Sequence, residues 1–225
     1  MPLNDAKGNM YSFVNKTWNT VKGKCPHDCA YCYMKRFGKQ RDTYFDRKEL
    51  KTDLGKNNFI FVGSSCDMWA DAIDPAWIKH TLDHCDKFVN KYLFQSKNPK
   101  RIYYYSHMLP FNSVIGTTLE TNRQYPQMGN APNIGERSTY IRELANQKID
   151  TMVTIEPIFD FDLEPFVNAI KYCHPQWVNI GADSGAHKLT EPPAEKVMEL
   201  ITELRKFTEV KPKKNLARIL GKDNI

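Results

Sequence analysis

The chain has 225 residues, of which 26% are charged and 41% hydrophobic, and its formal net charge is +6. No stretch approaches the roughly 18 uninterrupted apolar residues of a membrane span, and the first residues lack the charged-then-apolar layout of a secretion signal. These properties exclude a helical membrane protein and predict one cytoplasmic domain over residues 1–225. The basic excess suits an anionic partner such as nucleic acid and equally suits a solvated surface.

Short apolar runs alternate with amphipathic stretches, which is the pattern of repeated βα units around a parallel sheet. Six strands are predicted, at residues 11–18, 59–63, 92–95, 113–119, 151–155 and 177–181. Helices are predicted near residues 30–37, 75–89, 99–107, 141–145, 163–172 and 193–207, and the tail from residue 211 is expected to end in a short helix or fray. Six units fall two short of a closed barrel. We therefore predict an α/β fold, a partial (β/α)6 barrel, with its site at the C-terminal ends of the strands.

Three of the six cysteines crowd into the loop after the first predicted strand. Cys25, Cys29 and Cys32 are separated by three and then two residues. In a reducing compartment such clustering indicates metal ligation or redox chemistry rather than disulfides. Three thiolates can hold three irons of a [4Fe-4S] cluster and leave the fourth iron without a protein ligand. S-adenosylmethionine (SAM) can chelate that iron, and one electron then cleaves SAM to a 5′-deoxyadenosyl radical.

The structural alternative is a zinc site, with His27 or another cysteine as the fourth ligand. Zinc motifs usually pair two cysteine knuckles, or a knuckle with two histidines. Neither second half is present here, so the sequence favours the iron–sulfur cluster.

The motif Cys-x-x-x-Cys-x-x-Cys, with an aromatic residue before the last cysteine, resembles the signature of the radical SAM superfamily. The resemblance implies a partial barrel of radical SAM type and places Tyr31 near the adenine of SAM. It also implies that the loop after the second strand receives the methionine amino group, through Ser64, Ser65 and Asp67. Superfamily members often carry Gly-Gly-Glu at this place, and this chain departs from that form.

Polar residues also follow the last three predicted strands. The resemblance implies that Thr118, Glu120 and Asn122 contact the ribose and the methionine carboxylate of SAM, and strand alternation sends the three to one side. Further cofactor-binding candidates at the strand ends are Glu156, Gly181, Asp183 and Ser184. Three carboxylates at three successive strand ends suit ribose hydroxyls, the sulfonium or a substrate donor, with surface ion pairs as the alternative. A glycine there allows the backbone to approach adenine closely.

Several segments together resemble a phage-associated radical SAM family of unassigned function. They are Trp18-Asn19, the residues 61–67, 115–121 and 155–157, and the stretch from Trp177 to Gly185. That family is distantly similar to the spore photoproduct lyases, which repair a thymine dimer in DNA. The resemblance implies a phage gene acting in the host cytoplasm.

We therefore expect an enzyme that forms a 5′-deoxyadenosyl radical and abstracts hydrogen from a substrate, with a nucleobase in DNA or RNA as the leading candidate. A small metabolite or a peptide is the second candidate, and a zinc-stabilised nucleic-acid-binding module is the third. An electron donor such as flavodoxin or ferredoxin is an implied partner. Nucleic acid is expected to bind through the basic flanks of the cysteine loop, at Lys22, Lys24, Lys35, Arg36, Lys39 and Arg41.

Cys66 lies three residues past the second predicted strand, on the loop expected to face SAM. Spore photoproduct lyases carry a cysteine in the corresponding loop that returns a hydrogen atom to the product radical, which implies the same catalytic role for Cys66. A buried packing role is the alternative. The phage-associated family tends to show serine at this position.

Overall fold

The computed structural model describes residues 3–185 and 187–221. Its strands are β1 (Asn4–Asp5), β2 (Lys16–Trp18), β3 (Val21–Lys22), β4 (Tyr44–Phe45), β5 (Phe59–Val62), β6 (Lys91–Gln95), β7 (Ser113–Thr118), β8 (Asp150–Ile155), β9 (Trp177–Ile180) and β10 (Glu209–Pro212). Its α-helices are α1 (Pro75–Cys85), α2 (Pro99–Tyr104), α3 (Ile134–Asn146), α4 (Leu163–Tyr172), α5 (Ala194–Leu204) and α6 (Ala217–Leu220). Short 3₁₀ helices occupy Tyr33–Phe37, Arg47–Lys51, Ser106–Met108, Pro126–Met128 and Lys214–Leu216.

Eight strands form one sheet in the order β1-β2-β5-β6-β7-β8-β9-β10, and β3 and β4 form a separate antiparallel ribbon. Every neighbouring pair in the large sheet is parallel except β1 with β2. Over the described residues no ladder joins β1 to β10, so the sheet is open. The predicted α/β fold with a parallel sheet is confirmed. It is compatible with a partial barrel, and closure toward a barrel shape stays a prediction.

The two faces of the sheet are covered differently. Ile60 and Val62 of β5 face the main core, where α2, α3, α4 and α5 pack side by side. Phe61 points to the other face and joins a smaller cluster with Trp177. The N-terminal segment covers that second face, because Tyr11 and its stacked neighbour Phe13, with ring centroids 5.3 Å apart, pack against it. Residues 6–14 therefore cover the middle of the second face of the sheet.

The first βα unit differs from the prediction. Only Lys16–Trp18 of the predicted strand is extended in the sheet, because residues 11–14 turn back, with Val14 N–H bonded to the carbonyl of Tyr11 at 3.0 Å. Their aromatic rings cover the second face instead of adding to β2. The predicted helix at residues 30–37 is a 3₁₀ helix over Tyr33–Phe37. The β3–β4 ribbon, absent from the prediction, pairs the residues on either side of this segment.

The C-terminal region adds a strand that the sequence pattern concealed. Glu209–Pro212 pairs in parallel with β9 and makes a seventh parallel strand. Only Val210 of this strand packs against the main core. The strand therefore has no apolar run by which it could be predicted. The expected short helix after residue 211 is present as α6.

Helix α3 begins earlier than predicted, inside the expected loop. The side chain of Asn133 caps it by accepting from the Glu136 N–H at 2.8 Å. Across residues 3–185 and 187–221 no helix has both the length and the apolar character needed to cross a bilayer.

Candidate active site

The cysteine loop leaves β2 at the carboxyl end of the parallel sheet, where ligands bind in folds of this kind. Its backbone turns on itself, with Asp28 N–H bonded to the Cys25 carbonyl at 3.1 Å and Cys32 N–H to the Cys29 carbonyl at 3.2 Å. The loop packs tightly on residues 126–130. A Cβ at Gly129 would lie 2.2 Å from the carbonyl oxygen of His27, and the φ of +65° there also favours glycine. Gly129 thus permits the contact that supports the loop.

All six cysteines are free; Cys29 is buried and Cys25 and Cys32 are half-buried. Burial raises the pKa of Cys32, and the charges of Cys25 and Cys29 raise it further. Among the described residues, no three His, Cys, Asp or Glu side chains stand in an arrangement that already fits a metal ion.

Cys66 joins the cysteine loop through its thiol. A hydrogen bond from Cys66 lowers the pKa of Cys25 to about 6, and the same bond raises the pKa of Cys66. Cys66 is 2% exposed. Cys25 is therefore the thiol best prepared to be a thiolate, and the predicted catalytic cysteine lies against a predicted cluster ligand.

Asp67 connects the cysteine loop to the loops after β5 and β6. Its Oδ2 accepts from Ser96 Oγ at 2.8 Å and from Lys97 N–H at 3.0 Å, and it lies 2.9 Å from His27 Nε2. Its Oδ1 accepts from Trp69 N–H at 3.0 Å. Burial raises the pKa of Asp67, but the charge of His27 and these bonds outweigh it and leave that pKa lowered. Both carboxylate oxygens already have protein partners, and so has the ring of His27.

The two predicted serines, Ser64 and Ser65, contact the residue after β2 and the residue after the cysteine motif. Asn19, one residue past β2, accepts from Ser65 N–H at 2.9 Å and bonds Ser64 Oγ at 3.3 Å. The hydroxyl of Tyr33 donates to the Ser64 carbonyl at 3.0 Å. The serine loop thus contacts the residue that follows the last cysteine of the motif, and its contact with the methionine amino group stays a prediction.

A buried charge cluster follows β7. Glu120 is fully buried and accepts from Lys97 Nζ at 2.6 Å and from Arg137 Nη1 at 2.8 Å. The hydroxyl of Tyr31 donates to the same carboxylate. Burial raises the pKa of Glu120, but Lys97 and Arg137 reverse the effect and hold that pKa at about 2. Two cations thus face one carboxylate, and Lys97 Nζ also lies 3.3 Å from Cys29 Sγ.

Thr118 and Asn122 flank Glu120 but have different surroundings. Thr118 is buried and its hydroxyl accepts from Gln95 Nε2 at 3.4 Å. The amide of Asn122 pairs with Asp162 at the start of α4, accepting from its N–H at 2.8 Å. Only Glu120 of the three contacts the cysteine loop through its side chain in the hydrogen bonds of the described residues.

Glu156 anchors a second polar cluster after β8. Its carboxylate accepts from Lys213 Nζ at 2.5 Å, from Asn9 Nδ2 at 2.7 Å and from Asn215 Nδ2 at 3.3 Å. A Cβ at Gly181 would lie 2.9 Å from the Glu156 carboxyl carbon. Glycine at that position therefore lets the backbone after β9 approach this carboxylate. The cluster also attaches the segments around Asn9 and Lys213 to the sheet.

Asp183 holds its own loop. Its carboxylate accepts from Gly185 N–H at 2.9 Å and His187 N–H at 2.6 Å, and it lies 2.7 Å from His187 Nδ1. Burial raises the pKa of Asp183, but these bonds and His187 leave it lowered. Ser184 beside it is exposed. The proposed cofactor contacts of Asp183 and Ser184 stay predictions.

Sequence reasoning identified the strand-end carboxylates and missed the cations that face them. Lys97 lies two residues past β6, Arg137 lies on α3, and Lys213 lies one residue past β10. Lys97 could have been found from its position after an apolar strand. The other two required the pairing of distant segments.

No protein-family model matches the chain, and no curated protein matches its sequence. Its fold is similar to that of spore photoproduct lyase. A mutant of that enzyme with bound AdoMet and dinucleoside spore photoproduct gives a TM-score of 0.58 at 9% identity, covering 89% of this chain and 64% of that one. A tyrosine-to-phenylalanine mutant gives 0.65 at 9% identity, covering 91% and 78%. A cysteine-to-serine mutant gives 0.62 at 10% identity, covering 95% and 76%. The chain spans about 64% of the length of the ligand-bound enzyme, and identities this low establish the fold alone.

Proposed function

We propose that this protein is a radical SAM enzyme that abstracts a hydrogen atom from an organic substrate, with a nucleobase as the leading candidate. One observation carries the proposal. Three free cysteines lie on one loop at the carboxyl edge of a parallel sheet, in a fold similar to spore photoproduct lyase. When bound, a [4Fe-4S] cluster and SAM would supply reductive cleavage to a 5′-deoxyadenosyl radical.

Three thiol side chains are the donor chemistry that such a cluster takes. Cys25, Cys29 and Cys32 would each ligate one iron. The Cys66 hydrogen bond lowers the pKa of Cys25, and the ammonium group of Lys97 lies 3.3 Å from the Cys29 sulfur. The lowered pKa favours the thiolate of Cys25, which is the ligand form.

The charges near Glu120 support a site for a zwitterionic cofactor. Arg137 alone balances the carboxylate of Glu120, so the ammonium group of Lys97 is the additional cation directed at the cysteine loop. A cation there would bind the SAM carboxylate, and Glu120 and Tyr31 would hold that cation in place. The lowered pKa of Glu120 keeps the carboxylate ionised at neutral pH, so Lys97 stays ordered.

Cys66 is proposed as the hydrogen-atom donor to the product radical. It lies against Cys25, so its S–H bond is beside the proposed cluster position. Transfer of that hydrogen atom would leave a thiyl radical on Cys66, which one electron and one proton return to the thiol. An acidic one-electron carrier such as flavodoxin or ferredoxin is the proposed donor for both reduction steps.

The test is anaerobic cluster reconstitution, followed by assay of 5′-deoxyadenosine from SAM and dithionite. We expect formation by the unaltered protein and loss of it in Cys29→Ala, because two thiolates cannot hold the open cluster. Cys85→Ala is the matched control, since Cys85 is equally buried but lies on α1. Full activity in Cys29→Ala would refute the proposal.

A second experiment addresses Cys66. Cys66→Ala should retain the cluster and still form 5′-deoxyadenosine, while the final product is lost or diverted. An unchanged product would reduce Cys66 to a packing residue, without affecting the enzyme class.

A further inference from the structure

The surface directly after the last cysteine of the motif carries aromatic rings paired with guanidinium groups in two places. We propose that this surface, formed by Tyr33, Arg36, Phe37, Arg41 and Tyr44 and here named the stacking surface, binds the unpaired nucleotides of a single-stranded nucleic acid. The inference rests on the proposed function and makes a polynucleotide the substrate of that enzyme.

The geometry of the stacking surface is suited to flat ligands. Tyr33 is 42% exposed and Phe37 is 60% exposed, which is unusual for rings of this size. The guanidinium carbon of Arg36 lies 4.8 Å from the ring centre of Phe37 and 5.7 Å from that of Tyr33. Arg41 lies 4.8 Å from the ring centre of Tyr44. Aromatic rings are the groups on which successive bases stack, and arginines add cation–π contacts to them.

Free charge is concentrated on the same segment. Lys22 is bound by Asp46 and Glu49, whereas Lys24 and Lys35 both pair with Asp28. Arg36, Lys39 and Arg41 form no ion pair among the described residues, and residues 33–44 contain a single carboxylate, Asp42. Half of the basic flank expected from the sequence is therefore neutralised within the protein. The half that stays available for phosphate is the half beside the exposed rings.

The combination of rings and cations favours a single strand over other anionic partners. In a duplex the base faces are covered, so exposed rings would gain nothing from it. An acidic protein partner would bind the cations of the stacking surface but would make no use of its exposed rings. The surface also adjoins the site, because the hydroxyl of Tyr33 contacts the carbonyl of Ser64 in the loop that carries Cys66. A strand bound there has a base next to the candidate active site.

The experiment measures fluorescence anisotropy of labelled oligothymidine and oligouridine at low salt, where phosphate contacts are strongest. We expect Phe37→Ala to weaken binding about tenfold, since it removes one ring on which a base can stack. Phe37→Trp should retain affinity. Arg41→Gln should weaken binding and lower the salt slope by about one unit. The control is Phe111→Ala, because Phe111 is fully exposed on a different loop.

Three results would overturn the assignment: no binding at low salt, equal effects of Phe37→Ala and Phe111→Ala, or a duplex bound as tightly as the single strand. A fourth is that Phe37→Ala binds normally while Arg36→Gln slows reduction by flavodoxin, which would assign the surface to an acidic redox protein. The assay of 5′-deoxyadenosine without substrate separates the two proposals. If the unaltered protein forms no 5′-deoxyadenosine but still binds oligonucleotide, the proposed enzyme activity is refuted and the assignment of the stacking surface stands.

Discussion

Glu120 and Glu156 follow the neighbouring strands β7 and β8, and each lies in a polar cluster at the same edge of the sheet. Glu120 is fully buried between two cations, Lys97 and Arg137. The side chain of Glu156 is 17% exposed and has one cation, Lys213, with two amides. Equivalent positions in the sequence pattern thus have unlike electrostatic surroundings.

The difference separates a fully buried carboxylate with two cations from a partly exposed one with a single cation. Around Glu120 the charges are desolvated, so each partner is needed to offset the burial of the others. The additional cation there faces the cysteine loop. Around Glu156 the charges balance one to one, and the partners come from the two termini of the chain. We infer that the Glu120 cluster orders the cysteine-loop side of the candidate site, whereas the Glu156 cluster attaches the segments around Asn9 and Lys213.

Removal of the carboxylate should affect the two clusters unequally. We expect Glu120→Ala to lower the free energy of unfolding by about 3–5 kcal/mol, because it leaves two cations, one of them the fully buried Arg137, without a counter-charge. Glu156→Ala should cost about 1–2 kcal/mol, since Glu156 pairs with a single cation and is itself partly exposed. Urea denaturation measures both. Equal losses would contradict the distinction between the clusters.

Acid should expose the same contrast through Glu120. Its pKa falls from the ordinary 4.5 to about 2 in the folded protein. A lowered carboxyl pKa contributes stability that is complete above the unfolded value and is lost as pH falls through the folded value. The stability difference between the unaltered protein and Glu120→Gln should therefore shrink between about pH 4.5 and pH 2. Thermal unfolding across this range measures it, and a constant difference would contradict the charge assignment.

The pair of thiols formed by Cys25 and Cys66 allows a finer test. In the cluster-free protein, alkylation of Cys25 by iodoacetamide should show a midpoint near pH 6, because the Cys66 thiol stabilises the thiolate. Cys66→Ala should move that midpoint upward, whereas Cys173→Ala should leave it unchanged, since Cys173 bonds only residues of α3 and α4. Peptide mass spectrometry over a pH series gives the midpoint. No change in Cys66→Ala would remove the proposed contact.

Much of the architecture was predictable because buried parallel strands read as apolar runs. Phe59–Val62 and Asp150–Ile155 were found in this way. Glu209–Pro212 was not, because a strand with one core-facing side chain has no such signature. Residues 11–14 form an apolar run but no strand, since their rings pack against one face of the sheet.

The site was predictable only in its local part. The spacing of the cysteines is a property of one short segment, and strand ends can be located from the sequence. The bond between Tyr31 and Glu120, separated by 89 residues, and the position of Arg137 behind it arise from the packing of distant elements. Isolated cations in a sequence are indistinguishable from surface lysines and arginines.

Iron and sulfide analysis of the anaerobically reconstituted protein, with electron paramagnetic resonance before and after SAM is added, tests the central claim most directly. We expect about four irons and about four sulfides per chain, and a reduced-cluster signal that changes when SAM binds the open iron. Cys85→Ala should keep both, and Cys25→Ala, Cys29→Ala and Cys32→Ala should each lose them. One zinc ion per chain without sulfide, or a cluster signal indifferent to SAM, would contradict the claim.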